Sequence, residues 1–167
     1  MKHLTYLDLY NCLLQNDGVC DVCKALSGMG SRLEHLALSS NCVNSDSAEH
    51  VAALIKTYCV RLKVLCLDEN EISCKGINSI AESFSAGEVG NTIEKIQLNS
   101  ISIKTKGAEA LITGYGKDGR SMRNLKHISL DGNYFPANVI RQPRGAFQEK
   151  LAEMDENLSE DEPDGET

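Results

Sequence analysis

At 167 residues, 41% of them hydrophobic, the chain is long enough to bury one domain's core, and its formal net charge of −7 excludes a broadly basic nucleic-acid footprint. No apolar run approaches the ~20 residues needed to cross a bilayer, and the first residues do not read as a secretory signal, because Asp8 interrupts the leucines. Aromatic residues make up 5% and tryptophan is absent, so aliphatic side chains must fill the core.

In chain order, the first element is a short strand at Leu4-x-x-Leu7-x-Leu9, followed by a turn at Cys12 and an apolar Leu14. Strand side chains alternate between faces, so the leucines can point one way while Asp8 and Tyr10 point the other. Small and apolar residues then recur at helical spacing: Gly18, Val19, Val22, Cys23 and Leu26. The same order returns at Leu33, Leu36, Leu38, Asn41 and Val43, with a helix through Ala48, Val51, Ala52 and Ile55. The third unit is Leu62, Leu65, Leu67, Asn70 and Ile72, then Gly76, Ile77, Ile80, Ala81 and Phe84. The fourth is Ile93, Ile96, Leu98, Ile101 and Ile103, then Gly107, Ala108, Leu111, Ile112 and Tyr115. The fifth is Leu125, Ile128, Leu130, Asn133 and Phe135. Successive starts lie 29, 29, 31 and 32 residues apart.

Five in-phase copies of L-x-x-L-x-L-x-x-N/C-x-L are the signature of a leucine-rich repeat, and spacings this long leave room for a full helix, as in the ribonuclease-inhibitor subclass. The expected fold is α/β: a leucine-rich repeat solenoid, a ribonuclease-inhibitor-like βα horseshoe of about five repeats with parallel strands on its concave face. The ninth position is the structural turn, held by Cys12, Asn41, Asn70 and Asn133, where a side-chain amide can bond backbone groups otherwise buried unpaired. Ile101 cannot do this, so the fourth turn is expected to be looser.

The seven cysteines are odd in number and spaced by the repeat, which argues for free thiols in a reducing compartment rather than a disulfide framework. Cys20-x-x-Cys23 lacks a second ligand pair and reads as helix packing. After Phe135, Pro136 and Pro143 break the helical pattern, while Phe147 and Leu151 keep apolar spacing for a short terminal helix over 144–154. The domain reading is therefore a solenoid over 1–135, a C-terminal capping segment over 136–152 and a disordered acidic tail over 153–167. Residues 151–167 hold eight acids and no lysine or arginine, leaving residues 1–150 with a net charge of +1. No polar unit precedes Leu4, so Leu7, Leu9, Leu14, Val22 and Leu26 should lie open at the N-terminal edge, which points to a longer array or self-association.

No catalytic constellation emerges. Gly114 to Ser121 is Gly-rich but follows a helix and lacks the phosphate-loop spacing, and its basic residues have no interleaved aromatics for base stacking. Nothing calls for a metal or cofactor, and neither a nucleic-acid nor a membrane partner is expected. What remains is a protein-binding surface on the outward strand positions and rim, with Asp8, Tyr10, Ser39, Asp68, Glu69, Asn99, Asp131 and Tyr134 as the candidate contacts.

The C-terminal part resembles a Ran GTPase-activating protein. The resemblance is carried by Leu130-Asp131-Gly132-Asn133-Tyr134-Phe135, by Phe147, and by Leu151 to Asn157 running into the acidic tail. It implies Ran in its GTP-bound state as partner, a role in nucleocytoplasmic transport, and a cytoplasmic location at the nuclear envelope. It also implies that the chain stimulates a partner's hydrolysis, by helping the GTPase order its own glutamine and attacking water, and is no enzyme alone. That family's most important residues lie in repeats nearer its N-terminus, and none of them is matched here. The alternative is an interaction scaffold of the ribonuclease-inhibitor or innate-immune-receptor type with no GTPase role.

Overall fold

The computed structural model describes residues 3–28, 32–86, 88–115 and 122–135. Strand and helix alternate through them: β1 Tyr6–Asp8, α1 Gln15–Ser27, β2 His35–Ala37, α2 Ser45–Tyr58, β3 Val64–Cys66, α3 Ser73–Ala86, a 3-10 turn Glu88–Asn91, β4 Lys95–Gln97, α4 Thr105–Tyr115 and β5 His127–Ser129. The strands form one parallel sheet in sequence order. Its register is one repeat per strand, aligning Leu7, Leu36, Leu65, Ile96 and Ile128 across the sheet. The expected capping segment 136–152, acidic tail 153–167, terminal helix 144–154 and residues 116–121 lie outside the described residues.

The strands end at the fifth repeat position, and amide bonds to the neighbouring repeat continue to the eighth, where the backbone turns away. There Asn11, Ser40, Glu69, Ser100 and Gly132 all take left-handed φ values, between 50° and 67°. A non-glycine residue accepts this conformation at about 1 kcal/mol, which the surrounding turn must offset. Glycine is needed at the fifth turn for a second reason: a Cβ on Gly132 would collide with the Ser100 hydroxyl.

The core runs the length of the array between sheet and helices. Leu36, Leu65 and Ile96 from the strands meet Val51, Ile55, Ile77, Ile80 and Phe84 from the helices, all at most 1% exposed. Successive helices contact one another, α1 on α2, α2 on α3 and α3 on α4. Helix approach is tightest at two glycines. A Cβ on Gly76 would sit 2.9 Å from the Ala48 Cβ, and one on Gly107 would sit 2.8 Å from Ile77 Cγ2. Asn44 starts α2 with a capping box, its side chain accepting from Asp46 and Ser47 amides while the Ser47 hydroxyl accepts from Asn44. At the first repeat Leu4, Leu7, Leu9, Leu14 and Val22 are half-buried and Leu13 is 75% exposed. Leu26, expected to lie open with them, is instead buried, because it joins the main apolar cluster.

The turn amides form a ladder that reaches back one repeat. Asn41 Oδ1 accepts the amides of Cys12 at 3.1 Å and Leu14 at 3.2 Å, while its Nδ2 donates to the Leu9 carbonyl at 2.8 Å. Asn70 does the same for Asn41 and Val43, at 3.1 and 2.9 Å, and donates to Leu38. Asn133 does it for Ile101 and Ile103, at 3.2 and 3.0 Å, and donates to Leu98. The expectation of a loose fourth turn is therefore corrected. That turn is fastened by Asn133, and Ile101 is fully buried in the core. What Ile101 leaves undone is the turn before it. No acceptor among the described residues reaches the amides of Asn70 or Ile72, whereas their counterparts Asn41 and Val43 are both bonded. Ile101 contributes its carbonyl alone, which accepts from Ser73 at 3.3 Å.

Candidate functional site

With leucines turned inward, repeat positions three, five and seven point out from the sheet. They build a face whose columns are Tyr6, His35, Val64, Lys95 and His127; then Asp8, Ala37, Cys66, Gln97 and Ser129; then Tyr10, Ser39, Asp68, Asn99 and Asp131. The candidate contact residues divide on this face. Asp8, Tyr10, Glu69, Asp131 and Tyr134 are exposed. Ser39 is not: it is 5% exposed, since its carbonyl accepts from the Asn11 amide and the Asn41 carboxamide, and a hydroxymethyl group is too short to emerge.

Asp68 and Asn99 are half-buried and already engaged. Asp68 Oδ1 accepts the Asn99 amide at 2.7 Å, and Asn99 Oδ1 accepts the Asp131 amide at 2.8 Å and the Ser129 hydroxyl. This second ladder runs along the face in the opposite sense to the asparagine ladder, each acceptor serving the repeat after it. Burial holds the Asp68 carboxyl above its ordinary value; Glu69 pushes the same way, while the Asn99 amide and Lys95 push against it. Glu69 accepts from the Ser40 hydroxyl at 2.5 Å.

Burial keeps two of the thiols, Cys66 on the strand face and Cys23 on α1, in the protonated form. Cys66 donates to Gln97 Oε1 at 3.0 Å, and burial pushes it up to about 11. Cys23 of the C-x-x-C pair is pushed up to about 12, again chiefly by burial. All seven cysteines are free, with Cys12 and Cys42 exposed on the turns. Cys12 holds the ninth position of the first repeat, where its own amide is taken by Asn41 and its thiol lies 3.5 Å from the Tyr10 carbonyl.

The densest patch is at the first two repeats. Tyr6 and Tyr10 are 57% and 58% exposed and flank Asp8 on one strand face. The Tyr6 ring stacks on His35, centroids 4.2 Å apart and planes 17° apart. The Tyr6 hydroxyl donates to Asp8 Oδ2 at 3.4 Å, and the Tyr10 amide donates to Asp8 Oδ1 at 2.9 Å. His35 is held below its ordinary value, by burial against the opposing pull of Asp8, so the imidazole is neutral at neutral pH. Tyr6 was missed in the sequence reading, although the signal was there: it shares the outward phase of Asp8 and Tyr10. Among the described residues no group of three or more His, Cys, Asp or Glu could hold a metal, and no helix is long and apolar enough to cross a membrane.

No family model matches the chain. It is 30% identical over 140 residues to mouse NACHT, LRR and PYD domains-containing protein 14, covering 84% of this chain and 13% of that protein. It is 25% identical over 132 residues to bovine NACHT, LRR and PYD domains-containing protein 5, covering 79% of this chain and 11% of that protein. The chain thus spans about an eighth of the length of these curated relatives. Among solved structures, leiomodin-1 actin-binding site 2 superposes with a TM-score of 0.67 at 15% identity, over 95% of this chain and 88% of that one. A Caenorhabditis elegans tropomodulin C-terminal domain gives 0.67 at 12% identity, over 96% and 92%. The fold is a leucine-rich-repeat α/β solenoid of five parallel strands alternating with helices.

Proposed function

We propose that the strand face recognises a folded protein partner, and that the chain is the repeat segment of a larger protein of the kind its mouse and bovine relatives are named for. The observation that carries this is the placement of tyrosine. Among the described residues Tyr6, Tyr10 and Tyr134, the three most exposed tyrosines, stand on the strand face and its rim, where the repeat requires no particular residue, and the less exposed Tyr58 ends α2. Interfaces draw much of their energy from a few such aromatic anchors, and parallel-strand arrays offer broad area rather than a small-molecule pocket. The free thiols support a reducing, cytosolic setting within the same proposal.

The test places a photo-crosslinking side chain at Tyr10, Glu69 or Tyr134, and as controls at Lys56 and Glu82, which are exposed on α2 and α3. Capture of one partner from the strand positions alone supports the reading. Capture from the helix positions, or equally from both, overturns it.

Activation of Ran is a separate proposal resting on the resemblance of Leu130 to Phe135 and Leu151 to Asn157. The left-handed backbone at Gly132 is shared by all five repeats, so that turn reflects general repeat geometry, and both curated relatives are named for NACHT, LRR and PYD domains. Single-turnover GTP hydrolysis by Ran decides it. Acceleration by this chain or an upstream-extended form would establish the activity, and none by either would remove it.

A further inference from the structure

Tyr6 and Asp8 are the two ends of β1 and Tyr10 follows two residues on, with His35 stacked against the first. We propose that this triad is a docking site for an arginine side chain presented by the protein partner. The inference rests on the recognition reading above and specifies the partner's chemistry.

Alternate strand residues project about 6.6–6.8 Å apart on the same face. That spacing lets a planar guanidinium lie against Asp8 with an electron-rich ring on either side. Asp8 is oriented for such a ligand. Each of its oxygens takes one hydrogen bond, Oδ2 from the Tyr6 hydroxyl and Oδ1 from the Tyr10 amide. A carboxylate has about four lone-pair sites, so each oxygen keeps one open, the pattern a bidentate fork requires.

Its charge is also unspent. Asp21, Glu34, Asp46, Glu49 and Glu94 each have a lysine partner within 3.0 Å. Among the described residues no lysine or arginine pairs with Asp8. None stands at positions three, five, seven or eight of the first two repeats. Beside it His35 is neutral, and the Tyr6 phenol is held above its ordinary value by partial burial and by Asp8, so it stays protonated. The patch therefore presents one uncompensated negative charge between two exposed aromatic faces. Lysine would satisfy the charge but not the planar geometry.

The experiment is an NMR titration of the chain with N-acetyl-arginine amide, against N-acetyl-lysine amide and the neutral isostere N-acetyl-citrulline amide. The expected result is saturable shifts at the Asp8 and Tyr10 amides and the Tyr6 ring. Binding should weaken about 10-fold for citrulline and about 10-fold in Asp8→Asn, as expected for loss of a charge-assisted fork. Tyr10→Leu, which keeps apolar bulk and loses the aromatic face, should weaken it about 3-fold. Glu82→Gln, exposed on α3 away from the strand face, should leave it unchanged. Equal shifts with citrulline or lysine, or undiminished binding to Asp8→Asn, overturn the proposal. Crosslinking from Tyr134 separates the two readings. Equal capture by wild type and Asp8→Asn, with no arginine-specific titration, overturns the arginine site and leaves strand-face recognition standing. Capture from no strand position by a chain with Asp8 intact overturns both.

Discussion

The turns of the second and third repeats, Ser39 to Val43 and Asp68 to Ile72, follow the same pattern and each carries its own asparagine, yet they are bonded differently. In the second, the amides of Asn41 and Val43 converge on Asn70 Oδ1. In the third, where the next repeat carries the buried Ile101 at the ninth position, the amides of Asn70 and Ile72 meet no acceptor among the described residues. A ninth-position asparagine serves its predecessor as well as itself. The soundness of a turn is therefore decided about 30 residues downstream, and a repeat cannot be judged by its own sequence.

The largest expected effect tests that reach. Asn70→Ala would strip the second turn of its acceptor and remove the carboxamide that donates to the Leu67 carbonyl and, beside Asn41, to the Leu38 carbonyl. A loss of about 3–5 kcal/mol in urea unfolding is expected, because several buried polar groups are orphaned together. A loss under ~1 kcal/mol would mean water replaces the carboxamide readily. Next come the helix seats, which should not feel the difference between the turns. Gly76→Ala and Gly107→Ala should each cost about 1–3 kcal/mol by overpacking, since the added methyl meets Ala48 in one case and Ile77 in the other. A marked inequality would show that the missing amide also loosens the helix layer.

Smaller still is the repair. Ile101→Asn trades buried aliphatic area for two amide bonds, and stability should stay within ~1 kcal/mol of the parent, where Ile101→Ala should lose about 2–4. Hydrogen exchange at Asn70 and Ile72, expected to be faster than at Asn41 and Val43 in the parent, should slow at least ~10-fold in Ile101→Asn. The least effect is a pH dependence. Because burial raises the folded-state value of Asp68 above the ordinary 3.8, the folded chain holds that proton more tightly than the unfolded one. The ionised carboxylate therefore weakens the fold at neutral pH, and the penalty disappears as pH falls through the raised value toward 3.8. Asp68→Asn keeps an acceptor for the Asn99 amide, so its urea midpoint should exceed the parent's at pH 7 and converge with it near the ordinary carboxyl range.

The apolar period placed the strands, the helices and nearly every core residue, because burial at positions four, six and eleven leaves an unmistakable spacing. Ile101 stood out as the exception, but where its absence would be felt did not, since nothing within one repeat says which neighbour an amide bonds. The rim ladder from Asp68 through Asn99 to Asp131 was also hidden. Asp and Asn at outward positions look the same whether they wait for a partner or hold the next repeat's amide. Position eight offered a partial cue: Asn11 and Gly132 suit a left-handed backbone, whereas Glu69 gives no sign of adopting one.

One further row of side chains constrains how such an array can grow or shrink. At position two the residues read Glu34, Lys63, Glu94 and Lys126, with Lys63 bonded to Glu34 at 2.7 Å and Lys126 to Glu94 at 2.6 Å. Excising the third or the fourth unit alone would set like beside like: removing the third juxtaposes Glu34 and Glu94, and removing the fourth juxtaposes Lys63 and Lys126. Each exposed pair is worth little, but the alternation gives the stack a parity. Deleting the third and fourth units together preserves the order of signs, and deleting either of them alone does not.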